Sequence, residues 1–123
     1  MTAETALAAP LVMLILLTIT QFALWSHATH IAQTAAAQGL AVTRAHTGTT
    51  TDGESRAHTT LTQLADGPLR DATVHATRTD TTARVEVNGT AASVLPFLHL
   101  PVHAETQGPI ERFLPDTTEI AER

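Results

Sequence analysis

The sequence predicts an α+β fold: a long N-terminal helix that crosses a membrane and continues as a stalk, then a short helix and a small antiparallel β-hairpin or sheet. Three observations predict it. From Ala6 to Trp25 the chain is apolar except for Thr18, Thr20 and Gln21. Beyond that run, apolar and small residues recur at helical spacing. Further on, two short runs alternate apolar with polar residues across a Thr-rich turn, the period of a half-buried strand.

The apolar run is about 20 residues, enough to cross a hydrocarbon core of roughly 30 Å. Between Thr5 and Thr43 the only titratable residues are His27 and His30. Trp25 stands where an interfacial aromatic anchor is expected. Pro10 falls in the first turns, where its missing N–H costs little, or it kinks the helix. From His27 to Arg44 the chain is rich in Ala, Gln and Thr and holds no proline. Leu24, Ala28, Ile31, Ala35, Gly39 and Val42 recur at steps of 3 or 4, so they share one helical face. The face is narrow and mostly small, which lets another helix approach closely. One continuous helix from about Ala3 to about Ala45 is expected, roughly 65 Å long at 1.5 Å per residue. A cleaved secretory signal is the alternative for the apolar run. An h-region is shorter and follows basic residues, of which there are none here.

Thr47 to Gly53 reads as a polar loop. Thr51-Asp52-Gly53-Glu54 fits a capping box that opens a short helix. Ala57, Leu61, Leu64 and Ala65 line one side of it, and Asp66-Gly67-Pro68 ends it. In the hairpin, Val74, Ala76, Ala83, Val85 and Val87 face one way; His75, Thr77, Arg84, Glu86 and Asn88 face the other. Thr79 to Thr81 is the turn, and Asn88-Gly89 ends the second strand. Ser93 to Val102, punctuated by Pro96 and Pro101, reads as an extended edge segment. The core candidates are Leu61, Leu64, Val74, Val85, Val87, Leu95 and Phe97. So small a set gains by packing on the stalk or on a neighbour. The expected division is a transmembrane segment at 1–26, a stalk at 27–46, a small α+β domain at 47–112 and a loose tail at 113–123.

Composition excludes several functions. The chain has 123 residues, a formal charge of -5, 3% aromatics and no cysteine. No thiolate metal site, thiol nucleophile or disulfide framework is available. All seven basic residues are Arg, and no basic, aromatic-studded surface for nucleic acid exists. The serines Ser26, Ser55 and Ser93 lack a glycine-framed elbow, and no phosphate-binding glycine loop occurs. Asn88-Gly89-Thr90 matches a glycosylation sequon where a turn would place Asn-Gly anyway. His27 and His30 are spaced i, i+3, and His99 and His103 i, i+4 in an extended stretch. Neither pair has a local acid to complete a site, and the second pair spans about 13 Å along a strand. No metal, no cofactor and no catalytic residue is assigned.

The opening, Met1-Thr2-Ala3-Glu4-Thr5-Ala6-Leu7 with Pro10 six residues after Glu4, sets one carboxylate at the head of an apolar helix. With the Ala-rich continuation and the run Gln38-Gly39-Leu40-Ala41, it resembles the TadE-like minor pilins or pseudopilins of the Tad/Flp type IVb pilus, in an actinobacterial variant. The charged residues usual in that Ala/Gly-rich run are absent. The stretches Gly89-Thr90-Ala91, Val94-Leu95-Pro96, Leu100-Pro101-Val102 and Gly108 to Phe113 look similar to the tail of such proteins. The resemblance implies a structural, non-enzymatic subunit anchored in the cell membrane by one helix, its C-terminal domain extracytoplasmic. Its implied partners are other pilin-like subunits, the Tad membrane machinery, the lipid bilayer and, where a leader is encoded, a prepilin peptidase that cuts after Gly. A leader ending in Gly, followed by one residue before Met1, would make Glu4 the fifth mature residue. There it would meet a neighbour's terminal amine and fix subunit register. Without such assembly, Glu4 simply favours the positive end of the helix dipole. Two other roles compete: a membrane-tethered binding or sensor domain that does not assemble, and a secreted metal-binding or catalytic domain released near Ala28.

Overall fold

The computed structural model describes residues 2–64 and 67–111. Helix α1 runs without interruption over Ala3–Thr43, α2 over Thr50–Leu64, and three strands follow: β1 Leu69–Arg78, β2 Thr82–Ala91 and β3 Pro101–Pro109. The strands form one antiparallel sheet in the order β1-β2-β3. Ala65, Asp66 and the tail lie outside the described residues.

The two halves of α1 meet different surroundings. Its first half is exposed on every side, and Leu7, Leu11, Ile15 and Ile19 have no protein cover. Its second half buries Ala28, Ile31, Ala32, Ala35, Ala36, Gly39, Leu40 and Thr43. Opposite them lie Ala57 and Leu61 of α2 and Ala76, Ala83, Val85, Val87, Val102 and Ala104 of the sheet. Sheet and α2 thus close over one side of the helix.

α1 and α2 cross with their backbones nearly touching. A Cβ on Gly39 would stand 2.9 Å from the Gly53 carbonyl oxygen and 3.1 Å from the Ala57 Cβ. A Cβ on Gly53 would collide with Thr43 Oγ1, which is itself buried and donates to the Gly39 carbonyl at 2.8 Å. Two glycines permit an approach that any side chain would push apart. The N-cap of α2 is Thr49, whose Oγ1 accepts from Asp52 N at 3.0 Å. The helix therefore starts two residues before the expected capping box at Thr51. Thr49, Thr50 and Thr51 carry the same capping hydroxyl, so residue type alone does not separate them.

The hairpin forms as its alternation predicts, with Val85 and Val87 buried and Val74 and Ala76 beside them. Thr79 Oγ1 accepts from Thr82 N at 3.0 Å and holds the turn. Asn88-Gly89 does not end β2, which continues to Ala91. Asp71 and Ala72 together face Gly89, because pairing shifts between Arg70↔Thr90 and Thr73↔Asn88. This is a β-bulge with Asp71 at φ 53. A Cβ on Gly89 would come within 2.8 Å of Leu69 Cδ1, so the glycine serves the bulge rather than a turn.

The edge strand begins at Pro101 and runs on to Pro109, later than the expected extended segment. Prolines at both ends of an edge strand cost no ladder bonds. Of the core candidates, Leu61, Val85, Val87 and Leu95 are buried, Leu64 is 46% exposed and Phe97 is 75% exposed. The core is instead completed by the alanines of α1 and by Leu69, Val102 and Ala104.

Arg78 of β1 ties the sheet to the end of α1. Its Nη1 donates to the carbonyls of Thr43, Ala45 and Gly48 at 2.5, 2.8 and 2.8 Å. The Thr43 carbonyl is one a helix end leaves without an intrahelical partner, and a cation is favoured there by the dipole. α1 has no basic residue in its own last turn, so the charge arrives from another element.

Gly53→Ala is expected to destabilise the domain by about 1–3 kcal/mol through overpacking, outweighing the roughly 1 kcal/mol that alanine gains in an isolated helix. Gly108→Ala, whose Cβ would find its nearest neighbour at 3.6 Å, should stay within about 0.5 kcal/mol. Thermal unfolding of the two full-length variants in detergent, followed by circular dichroism, checks both.

Candidate functional site

The candidate site is α1, the carboxylate at its head and the junction where its apolar half enters the domain. Thr2 caps the helix, its Oγ1 accepting from Thr5 N at 3.3 Å. Glu4 lies in the first turn and is exposed, where the N–H groups of the helix end favour a negative charge. Among the described residues the helix is exposed from Glu4 to Thr20, apart from half-buried Leu17, and Gln21 is its first buried residue.

A helix apolar on all sides is buried in something, and this one is long and apolar enough to cross a membrane. Its polar atoms are already satisfied internally. Thr18 Oγ1 donates to the Leu14 carbonyl at 2.8 Å and Thr20 Oγ1 to the Leu16 carbonyl at 2.9 Å. Such back-bonding leaves no bare hydroxyl toward lipid. Pro10 lies within the helix.

The junction is built by Gln21 and Trp25. Gln21 is 2% exposed. Its Nε2 donates to the Ala92 carbonyl at 3.1 Å, and its Oε1 accepts from Val94 N at 2.9 Å. The side chain thus closes both ends of a short backbone turn in the β2–β3 loop, residues 92–100. Trp25 Nε1 donates to the Pro101 carbonyl at 3.1 Å, where β3 begins. At the far end, Arg44 Nε donates to the Pro109 carbonyl at 3.0 Å, where β3 ends. The lengths agree: from Trp25 to Arg44 a helix climbs about 28 Å, and from Pro101 to Pro109 a strand climbs about 26 Å.

Ala28, Ile31, Ala35 and Gly39 are buried, and Leu24 and Val42 are half-buried. Their surroundings are this chain's own α2 and sheet. Glu4 stands far below them on the uncovered half.

The outer face of the sheet carries a charged cluster that sequence reading missed. Arg84 Nη2 contacts Glu105 Oε2 at 2.6 Å. His103 Nε2 lies 3.7 Å from Glu105 and 3.8 Å from Glu86, and its Nδ1 is 2.6 Å from Asn88 Oδ1. Glu86 and Glu105 are direct cross-strand partners, a like-charge pair that repels unless cations stand beside it. Arg84 and His103 supply them. The cluster depends on the β2–β3 register, and no local spacing encodes that register. His99 lies in the 92–100 loop and His103 in β3, so the anticipated histidine pair does not share one strand. His27 and His30 are exposed on α1. Glu86, His103 and Glu105 bring possible ligand atoms within 4.8 Å of one another, but Arg84 already occupies Glu105.

Residues 1–40 match the family model described as TadE-like protein. The match takes in Glu4, the exposed apolar half of α1 and the packing face as far as Gly39. Over that segment the chain is similar to the TadE-like family. No curated protein matches the chain, and no solved structure matches it.

Gln21→Leu is expected to free the 92–100 loop while leaving the sheet in place. It strips the partners from Ala92 O and Val94 N, at about 1–3 kcal/mol for each buried polar group left unmade. Hydrogen exchange read by mass spectrometry should accelerate in residues 92–100 and stay unchanged in β2.

Proposed function

We propose that this chain is a TadE-like minor pilin or pseudopilin: a structural, membrane-anchored subunit of a Tad/Flp-type pilus or a related secretion apparatus, with the 47–112 domain outside the cytoplasm. The observation that carries the reading is the family match over residues 1–40, which covers a helix bare of its own protein from Glu4 to Thr20 and headed by a single carboxylate. Such a helix is made for a lipid or protein environment, and a carboxylate there is costly unless it is paired or held at the headgroup level. Paired with a neighbour's terminal amine, Glu4 would set axial register. The role is structural rather than catalytic.

One observation favours the second reading, a tethered binding or sensor domain that does not assemble. The small-residue face from Leu24 to Val42 is filled by the chain's own domain. Assembly through α1 then falls to the surface carrying Leu7, Leu11, Ile15 and Ile19, below the domain. The two readings separate at Glu4.

Glu4→Ala should leave the domain folded and abolish recovery of the chain with its co-assembled subunits. Removing one partner of a buried ion pair costs about 3–5 kcal/mol, on the order of a hundredfold or more in association. Cross-linking in native membranes followed by quantitative mass spectrometry measures it. Unchanged recovery would sink the register role and leave the tethered domain. The same mass spectra give the mature N-terminus and report whether processing precedes Glu4.

A further inference from the structure

We propose that the 92–100 loop is a second membrane contact, dipping its apolar tip into the interfacial zone of the bilayer leaflet beside the point where α1 emerges. The inference rests on α1 crossing the bilayer, and it does not depend on assembly.

Depth is set by the junction. The loop backbone is bonded to Gln21 at Ala92 and Val94. Gln21 precedes Trp25 by four residues, about 6 Å on the membrane side of that ring. Trp25 has the position of an interfacial aromatic, so the turn held by Gln21 lies at headgroup depth or below.

Side chains at the tip match that depth. Phe97 is 75% exposed and Val94 38% exposed, although Leu95 between them is buried. From Val87 to Ala104 the chain carries no Asp, Glu, Lys or Arg. Charge returns only around the loop's edge, where Arg70, Asp71, Thr90, Ser93 and His99 line a shallow polar cavity. An apolar tip with a polar collar is the profile of an interfacial anchor.

Part of the loop backbone is bonded within the chain. Ala91 N donates to Leu100 O at 3.0 Å, Ala92 N to Pro68 O at 2.8 Å and Leu98 N to Leu95 O at 3.0 Å. Ser93 Oγ donates to the carbonyls of Leu95 and Leu98. Pro96 has no N–H to satisfy, and the N–H of Phe97 at the tip is left for the polar atoms of the headgroup zone.

Because the chain lacks cysteine, single-cysteine probes test the proposal on the full chain. Phe97→Cys, Leu11→Cys and Thr81→Cys would each carry a nitrobenzoxadiazole label in phosphatidylcholine/phosphatidylglycerol vesicles. Quenching by lipids with a nitroxide near the headgroup is compared with quenching by an aqueous ion. The label at 97 should emit to the blue of that at 81, be quenched by the shallow nitroxide, and lose aqueous quenching severalfold. Thr81, in the turn at the opposite end of the sheet, should behave as water-exposed. If 97 is as open to the aqueous ion as 81 while 11 is lipid-quenched, the loop proposal fails and the membrane anchor stands. If 11 is also water-exposed, both fail. Protection of 97 from both quenchers that disappears on dilution with lipid would assign the tip to a second copy of the chain and overturn the proposal.

Discussion

The structure depends on one burial: the stripe of small residues along the second half of α1 beneath α2 and the sheet. A domain this short encloses little volume and cannot fill a core from its own strands. The sheet contributes Leu69, Val85, Val87 and Val102 as its larger buried groups, and its other buried residues are alanines. What completes the core is the helix, through Ala28, Ala32, Ala35 and Ala36 at close range and Ile31 and Leu40 at wider gaps. Small side chains bring the backbones together, and at Gly39 and Gly53 they are dispensed with entirely. The exposed apolar segment and the helical part of the core therefore belong to one uninterrupted helix, with no linker between them.

That helix is fixed to the sheet at both ends. Gln21 and Trp25 hold the loop and the start of β3; Arg44 holds its end, and Glu111 N closes on the Arg44 carbonyl at 2.7 Å. Arg78 meanwhile collects the carbonyls beyond Thr43. Most of these bonds join a side chain to backbone, so they fix position without demanding a matched partner side chain. Since strand and helix cover nearly the same height, the ends can be tied without bending either. A pull on α1 along its axis is resisted by the whole three-stranded sheet.

Much of this was legible in the residues. The long helix follows from an apolar run with a helical continuation, and the hairpin from strict alternation at Ala83, Val85 and Val87. Other features depended on contacts that no local pattern encodes. β3 carries Glu105 and Gly108, weak strand formers that are held by pairing with β2. Asn88-Gly89 looks like a turn, and only the extra residue in β1 turns it into a bulge. Phe97 looks like core because it is large and apolar, but hydrophobicity alone does not say what covers a residue. At the candidate site, Glu4 was visible as an anomaly, whereas the Glu86–Glu105 apposition needed the strand register. Gln21 was visible only as an interruption in the apolar run.

Gln21 repays closer thought, because burial is expensive for an amide unless both its ends are used. An apolar residue there would extend the membrane run at no cost to the helix. Its amide instead supplies one donor and one acceptor to a loop that must turn at the boundary between two solvents. Between Ala6 and Thr20 every side chain of α1 is apolar or bonded back to its own helix. A single residue thus ends the exposed apolar segment and docks the domain.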